Sequence, residues 1–366
     1  MSSLPESSYV ESNYLSNVFG STTNSYKFLW LKGILFLLEN SNYSKFRFQF
    51  SDIFKEMLVF AWYPGQYYKL SFGYWDQLHK YIEGIPVDME GRISVNKVRA
   101  AVDITYSDQI DNQMARYVPY RMLTAWFKEE LRGIEDDTKR HKKTIALAND
   151  HFDSRSPLYK IEGRSIILHP NWVVYLKNNT AIISGWLDWH WSNYLQDKNP
   201  AVPNVARKID IVEKRGGLGK YKKYWDGYIN SERLVCLYTG QELVHAGYTF
   251  DHYIPWAYVV HDEPWNILPV TRKPNVNSSK SNNLPSSDYI SRFLDQQYGM
   301  LQYNYETTGQ GRAWKNLVAP YGELLRLSEH DLLQEKQFKN TLREVVKSQL
   351  ENAKRLGFSS EWKYQP

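Results

Sequence analysis

The stretch from 250 to 285, FDHYIPWAYVVHDEPWNILPVTRKPNVNSSKSNNLP, limits what this chain can fold into more than any other. Asp251 and His252 stand among aromatic and β-branched neighbours, which predicts a strand. His261, Asp262, Glu263 and Pro264 then form a polar loop with a breaker at its end. Residues 265–271 read as a second short strand. From Asn275 the string NVNSSKSNN offers cap-type residues at a helix start, with Asn277 and Lys280 three apart on one face. Strand, loop, strand and short helix would bring these polar groups to one end. As isolated features the bland readings are the ordinary ones: an Asp-His pair is commonplace, and an Asn-rich run is usually a solvated loop.

Joined in this order, the residues resemble the HNH nuclease motif, the ββα-metal finger, in the version whose third letter is Asn. The likeness is to the HNH module of the CRISPR-associated RNA-guided nucleases. It rests on Asp251, His252, Ile254 and Pro255, on Asn266, on Val270, Thr271 and Arg272, and on Asn277, Lys280, Ser281, Asn282, Asn283, Leu284 and Pro285. The string CLYTG at 236–240 is similar to the lead-in strand of such modules, so the likeness covers residues 231–290.

The resemblance implies metal-dependent phosphodiester hydrolysis. A hard divalent ion, magnesium or manganese, keeps several waters and needs few protein oxygens. Asp251 and the amide oxygen of Asn277 suit that share, with Asn275 left open as the alternative. His252 would be the general base on the attacking water, because an imidazole titrates near working pH. Lys280 would contact phosphate and Arg272 the nucleic acid. Asn266 would orient the His252 ring or the metal loop, a role carried over from the family.

The rest of the chain is read around this module. One cysteine excludes an internal disulfide framework. With Thr239 where the second Cys of a CxxC pair would stand, no structural zinc is expected. A net charge of +5 is mild, so any nucleic-acid footprint must come from local clustering. Five of the ten residues from 214 to 223 are basic, giving Lys214, Arg215, Lys220, Lys222 and Lys223 as candidate backbone contacts. Tyr221 or Tyr224 could stack on a base there, against the plain reading of a surface loop. The Gly-x-Gly-Lys within it lacks P-loop spacing. The run 139–143, KRHKK, is a solvated face or linker, with a phosphate-contacting segment as the sharper option.

Residues 28–38 are the most apolar run and far short of a membrane span, so they predict a buried helix. Residues 51–62 predict a helix with Ser51 as its cap and Pro64-Gly65 as its stop. Residues 67–81 read as helical, 158–168 as a hairpin around Glu162-Gly163, and 181–195 as a packed helix whose rings form core. There His190 is a satisfied histidine before it is a ligand. Residues 328–355 predict one long amphipathic helix or a pair. The polar, acidic start carries no signal-peptide pattern.

The expected fold is α+β and mostly helical: a helical region 1–130, a mixed region 131–230 with the basic loop, the nuclease module 231–290 and a helical region 291–366. The expected function is a cytoplasmic HNH endonuclease on DNA, serving restriction or antiviral defence. No guide RNA and no membrane association are expected, and a homodimer cutting both strands is left open. The alternatives are a non-catalytic DNA-binding module of the same shape and a nuclease acting on RNA.

Overall fold

A computed structural model of the chain describes residues 4–87, 93–211, 216–244, 247–272 and 280–365. It is α+β and mostly helical, with a three-stranded and a two-stranded antiparallel sheet. The chain divides into two compact units, one within residues 1–200 and 205–211, the other within 201–204 and 212–366. The expected divisions at 130 and 290 fall inside the first and the second unit respectively.

In the first unit the apolar run becomes the helix Tyr26–Asn40, buried on most of its circumference. The next helix, Phe50–Trp62, starts one residue ahead of the expected cap: Ser51 lies inside it, and the cap position, Gln49, makes no side-chain bond. Pro64 and Gly65 do not stop it either. The backbone continues through Tyr63–Tyr67 as a widened π-type turn, the local answer to a proline without an N–H. A Cβ on Gly65 would strike Ile82, so that glycine answers to packing and not to a turn.

The helix expected over 67–81 is largely absent. Irregular chain runs to the helix Leu78–Glu83, held by Asp76, whose carboxylate accepts the Ser25 amide at 2.7 Å and the Leu78 amide at 2.9 Å. The hairpin at 158–168 is found as β2 (Tyr159–Glu162) and β3 (Ser165–Leu168), turning at Gly163 with φ +60°. A third strand, β1 (Arg47–Gln49), pairs with β3. The helix Thr180–Lys198 buries Trp186, Trp191 and Tyr194, but Trp189 is 59% exposed and is not core. His190 packs against Phe19 and Trp186, and burial pushes its imidazole below the usual range.

In the second unit, β4 (Tyr248–His252) and β5 (Ile267–Thr271) form the expected hairpin, with Asp251 opposite Leu268 and His252 opposite Ile267. The short helix Trp256–Val259 and the turn Pro264–Asn266 lie in its connection. The helix Ile290–Thr308 supports the hairpin. Its Gln297 donates to the Ile267 carbonyl at 3.0 Å, and its Phe293 stacks on Tyr253 with centroids 4.0 Å apart. Residues 328–355 are a pair of helices, Glu329–Leu332 and Glu335–Arg355, the first opened by a Ser328–Asp331 capping box.

The expected lead-in strand at 236–240 is a tight turn instead. Cys236 donates to Gln241 O at 2.7 Å, Gly240 donates to Cys236 O at 3.0 Å, and Gly240 sits at φ +70°. Of the helix expected from Asn275, residues 275–279 lie outside the described residues, and residues 280–283 are a bend and turn, so Lys280 is not on a helix. Among those described, no helix is long and apolar enough to cross a membrane.

Candidate active site

Four of the expected groups meet at the closing end of β4 and β5. Alternation along the strand sends Asp251 and His252 to opposite faces of the ribbon, and their partners differ accordingly. Asp251 Oδ2 pairs with Lys280 Nζ at 3.0 Å and accepts the Tyr238 hydroxyl at 3.2 Å. Its Oδ1 has no hydrogen-bond partner among the described residues. His252 Nε2 lies 2.9 Å from Asp262 Oδ1. The single expected cluster is thus two groups, one on each face of the same strand end.

Asp262 is the residue that sequence reasoning left as loop. Burial, the largest single influence, pushes its carboxyl up. The hydrogen bond from His252 and the charges of His252, Lys220 and His261 outweigh it, and the group is held below the usual carboxylate range. An ionised carboxylate only accepts, so in the neutral imidazole Nε2 carries the proton and Nδ1 the lone pair. Among the described residues Nδ1 has no hydrogen-bond partner. The Asp262 backbone is fixed in turn, since its carbonyl accepts the Tyr221 hydroxyl.

Lys280 is fully buried. Besides Asp251 it donates to the His252 carbonyl at 2.7 Å, and its ammonium lies 5.7 Å from the Tyr238 ring centre. One cation therefore ties the Asp251 side chain to the backbone of the next residue. A buried ion pair of this kind contributes little net stability while intact, but losing one partner is costly.

Asn266 is also fully buried, and it does not touch the His252 ring. Its Oδ1 accepts the Ile254 amide at 2.7 Å and its Nδ2 donates to the Ile254 carbonyl at 2.9 Å, while its own carbonyl takes the Tyr253 amide at 2.9 Å. The side chain acts as a substitute strand across the bend that follows His252. Cys236 staples the other side, accepting the Thr271 amide at 3.4 Å.

Lys220, Lys222 and Lys223 are exposed, the first in the turn Leu218–Tyr221 and the others opening the helix Lys222–Glu232. The Tyr221 hydroxyl, bonded to the Asp262 carbonyl, puts this basic segment beside the His252 group. Tyr221 and Tyr224 are buried, so neither offers a ring for base stacking. Arg272 is exposed immediately after β5. Lys214, Arg215, Asn275 and Asn277 lie outside the described residues.

The HNH endonuclease family model matches residues 236–286, from the Cys236 turn through both strands to Ser286. Residues 236–286 are an HNH endonuclease domain. No curated protein and no solved structure matches the chain. The domain begins at the turn that Cys236 staples to Thr271. It ends where the Ser286 amide donates to the Trp362 carbonyl at 2.9 Å, so its last residues are held by the segment 359–362.

Among the described residues the HNH domain has no group of three His, Cys, Asp or Glu side chains set to hold a metal ion. A hard divalent ion asks for less. Among the described residues Asp251 is the carboxylate available to such a cation, with one of its oxygens committed to Lys280 and the other not.

Proposed function

We propose that the HNH domain hydrolyses DNA phosphodiester bonds with a divalent metal ion, magnesium or manganese. The single observation that carries this reading is the His252–Asp262 pair at 2.9 Å, one residue from the Asp251 carboxylate within the HNH match. His252 Nδ1 would take the proton of the attacking water as its oxygen bonds to phosphorus. The bond to the leaving oxygen then breaks, and that oxygen leaves as the alcohol with a proton taken from solvent water. Asp262 would hold the ring's orientation and stabilise the imidazolium that forms. Asp251 and Asn277 would hold the ion, which when bound neutralises charge on the scissile phosphate. Lys280 is better read as the positioning residue for Asp251 than as a phosphate contact, since its ammonium is buried against that carboxylate. The exposed Lys220, Lys222, Lys223 and Arg272, with Lys214 and Arg215, would track the sugar-phosphate backbone.

One observation favours a second reading, a DNA-binding module that does not cut. The Lys280 ammonium already neutralises the carboxylate that a metal would need. Incubating the protein with supercoiled plasmid and labelled RNA, with and without magnesium or manganese, separates the readings. Ion-dependent nicking of the plasmid, unaffected by excess RNA, is the expected result. Salt-sensitive binding with no cutting in either ion would establish the second reading, and preferential loss of the RNA would move the substrate to RNA. Service in restriction or antiviral defence remains the biological role this chemistry would suit.

A further inference from the structure

The first unit contains a basic cavity that phosphodiester cleavage does not use. It has a volume of about 540 Å³ and opens between residues 17–27, residues 120–128 and the helix Asp137–Asp150. Lys27, Arg121, Lys128 and Arg140 line it, against one carboxylate among the described residues, Asp137. That carboxylate is already engaged, by the Tyr120 hydroxyl at 3.0 Å and by Arg121 at 3.2 Å.

The cations are not fully partnered. Lys27 spends two of its three protons on the Val18 and Ser21 carbonyls, each at 2.9 Å. Arg121 Nε is buried below the cavity surface with no hydrogen-bond partner among the described residues, and the same guanidinium meets Asp137 through its outer nitrogen. Burial, together with the charges of Arg121, Lys128 and Arg140, pushes the Lys27 ammonium down to about 8. The fold therefore holds cations against each other with too little anion of its own.

A phosphate monoester supplies what is missing, with two negative charges and acceptor oxygens matched to a guanidinium fork. The volume exceeds the need of a bare phosphate and falls within the range of about 300–1,000 Å³ common for small-molecule sites. Tyr26 and Tyr120 are buried behind that wall, and Asn17, Thr22, Thr23 and Asn24 line it with amide and hydroxyl groups of the kind that hydrogen-bond a sugar or base. We propose that this cavity binds a nucleoside phosphate, taken as the free nucleotide or as the 5′-phosphorylated end of a nucleic-acid strand.

The test uses full-length His252→Ala protein, which spares the probe from cleavage and leaves the first unit unaltered. A labelled 5′-phosphorylated deoxytetranucleotide is titrated beside its 5′-hydroxyl counterpart, with dAMP and inorganic phosphate as competitors. The phosphorylated strand is expected to bind at least about tenfold tighter, and adding Arg121→Gln or Arg140→Gln to cost about tenfold. Arg140 donates to the Ile134 carbonyl at 3.4 Å and is half-buried, so its loss leaves the fold in place even if that of Arg121 does not. Competition by dAMP on a par with the strand identifies the free nucleotide as the ligand; much weaker competition identifies the strand end. Equal binding of the two strands would overturn the proposal. So would undiminished binding by the Arg140→Gln protein, or inorganic phosphate competing as well as dAMP.

Discussion

Lys280 in the second unit and Lys27 in the first are both drawn out of water, and their surroundings are opposite. Lys280 is fully buried against the Asp251 carboxylate at 3.0 Å and a backbone carbonyl. Among the described residues Lys27 meets only carbonyl oxygens at hydrogen-bond distance, while Arg121, Lys128 and Arg140 repel it. A buried cation with its own carboxylate has a structural task, to aim that carboxylate. A sheltered cation among other cations is set up for an anion that comes from outside.

The sharpest way to break this comparison is to remove the ammonium from the HNH domain. Lys280→Met should destabilise the protein by about 3–5 kcal/mol in urea denaturation, because a largely buried carboxylate loses its counter-charge. Adding Asp251→Asn should recover most of that loss. Magnesium should recover part of it for Lys280→Met alone, if the ion takes the place of the ammonium at Asp251. A neutral effect of Lys280→Met would mean that the pair does not position Asp251.

A smaller effect of the opposite sign should attend Lys27. Its folded value of about 8 lies below the ordinary 10.5, so the unfolded chain binds more protons between those pH values. Its contribution to stability therefore rises as pH increases through that window, and the cost of its charge is fully present below it. Lys27→Met should flatten the rise in a pH series of urea denaturations, relative to the unaltered protein. Burial sets the value first, and the charges of Arg121, Lys128 and Arg140 add to it, with Asp137 on the same wall. An unchanged slope would show that Lys27 carries no such strain.

The same contrast explains what could be read from the sequence. The hairpin was legible because both strands carry β-type residues and the motif letters are local, all within residues 236–286. The helix Tyr26–Asn40 was legible from its unbroken apolar run. Contacts made across distance were not. Asp262 was left as loop because it reaches His252 only through the bend that Asn266 holds, and sequence spacing does not show which way that bend turns. Lys280 read as a phosphate contact because it stands three residues after Asn277, one helical turn away in sequence, whereas the fold buries it against Asp251. The strand Arg47–Gln49 is too short to show alternation and pairs with residues 165–167, far along the chain. The basic cavity draws Lys27, Arg121 and Arg140 from three separate elements, so no local motif announces it.

Single-turnover cleavage of duplex DNA with a divalent ion, comparing the unaltered protein with His252→Ala, tests the central claim most directly. Loss of the imidazole should slow the cut by about 10²–10⁴-fold, with DNA affinity and the unfolding midpoint nearly unchanged. A His252→Ala protein that cuts at the unaltered rate would contradict the assignment of the Asp262-oriented imidazole as the base.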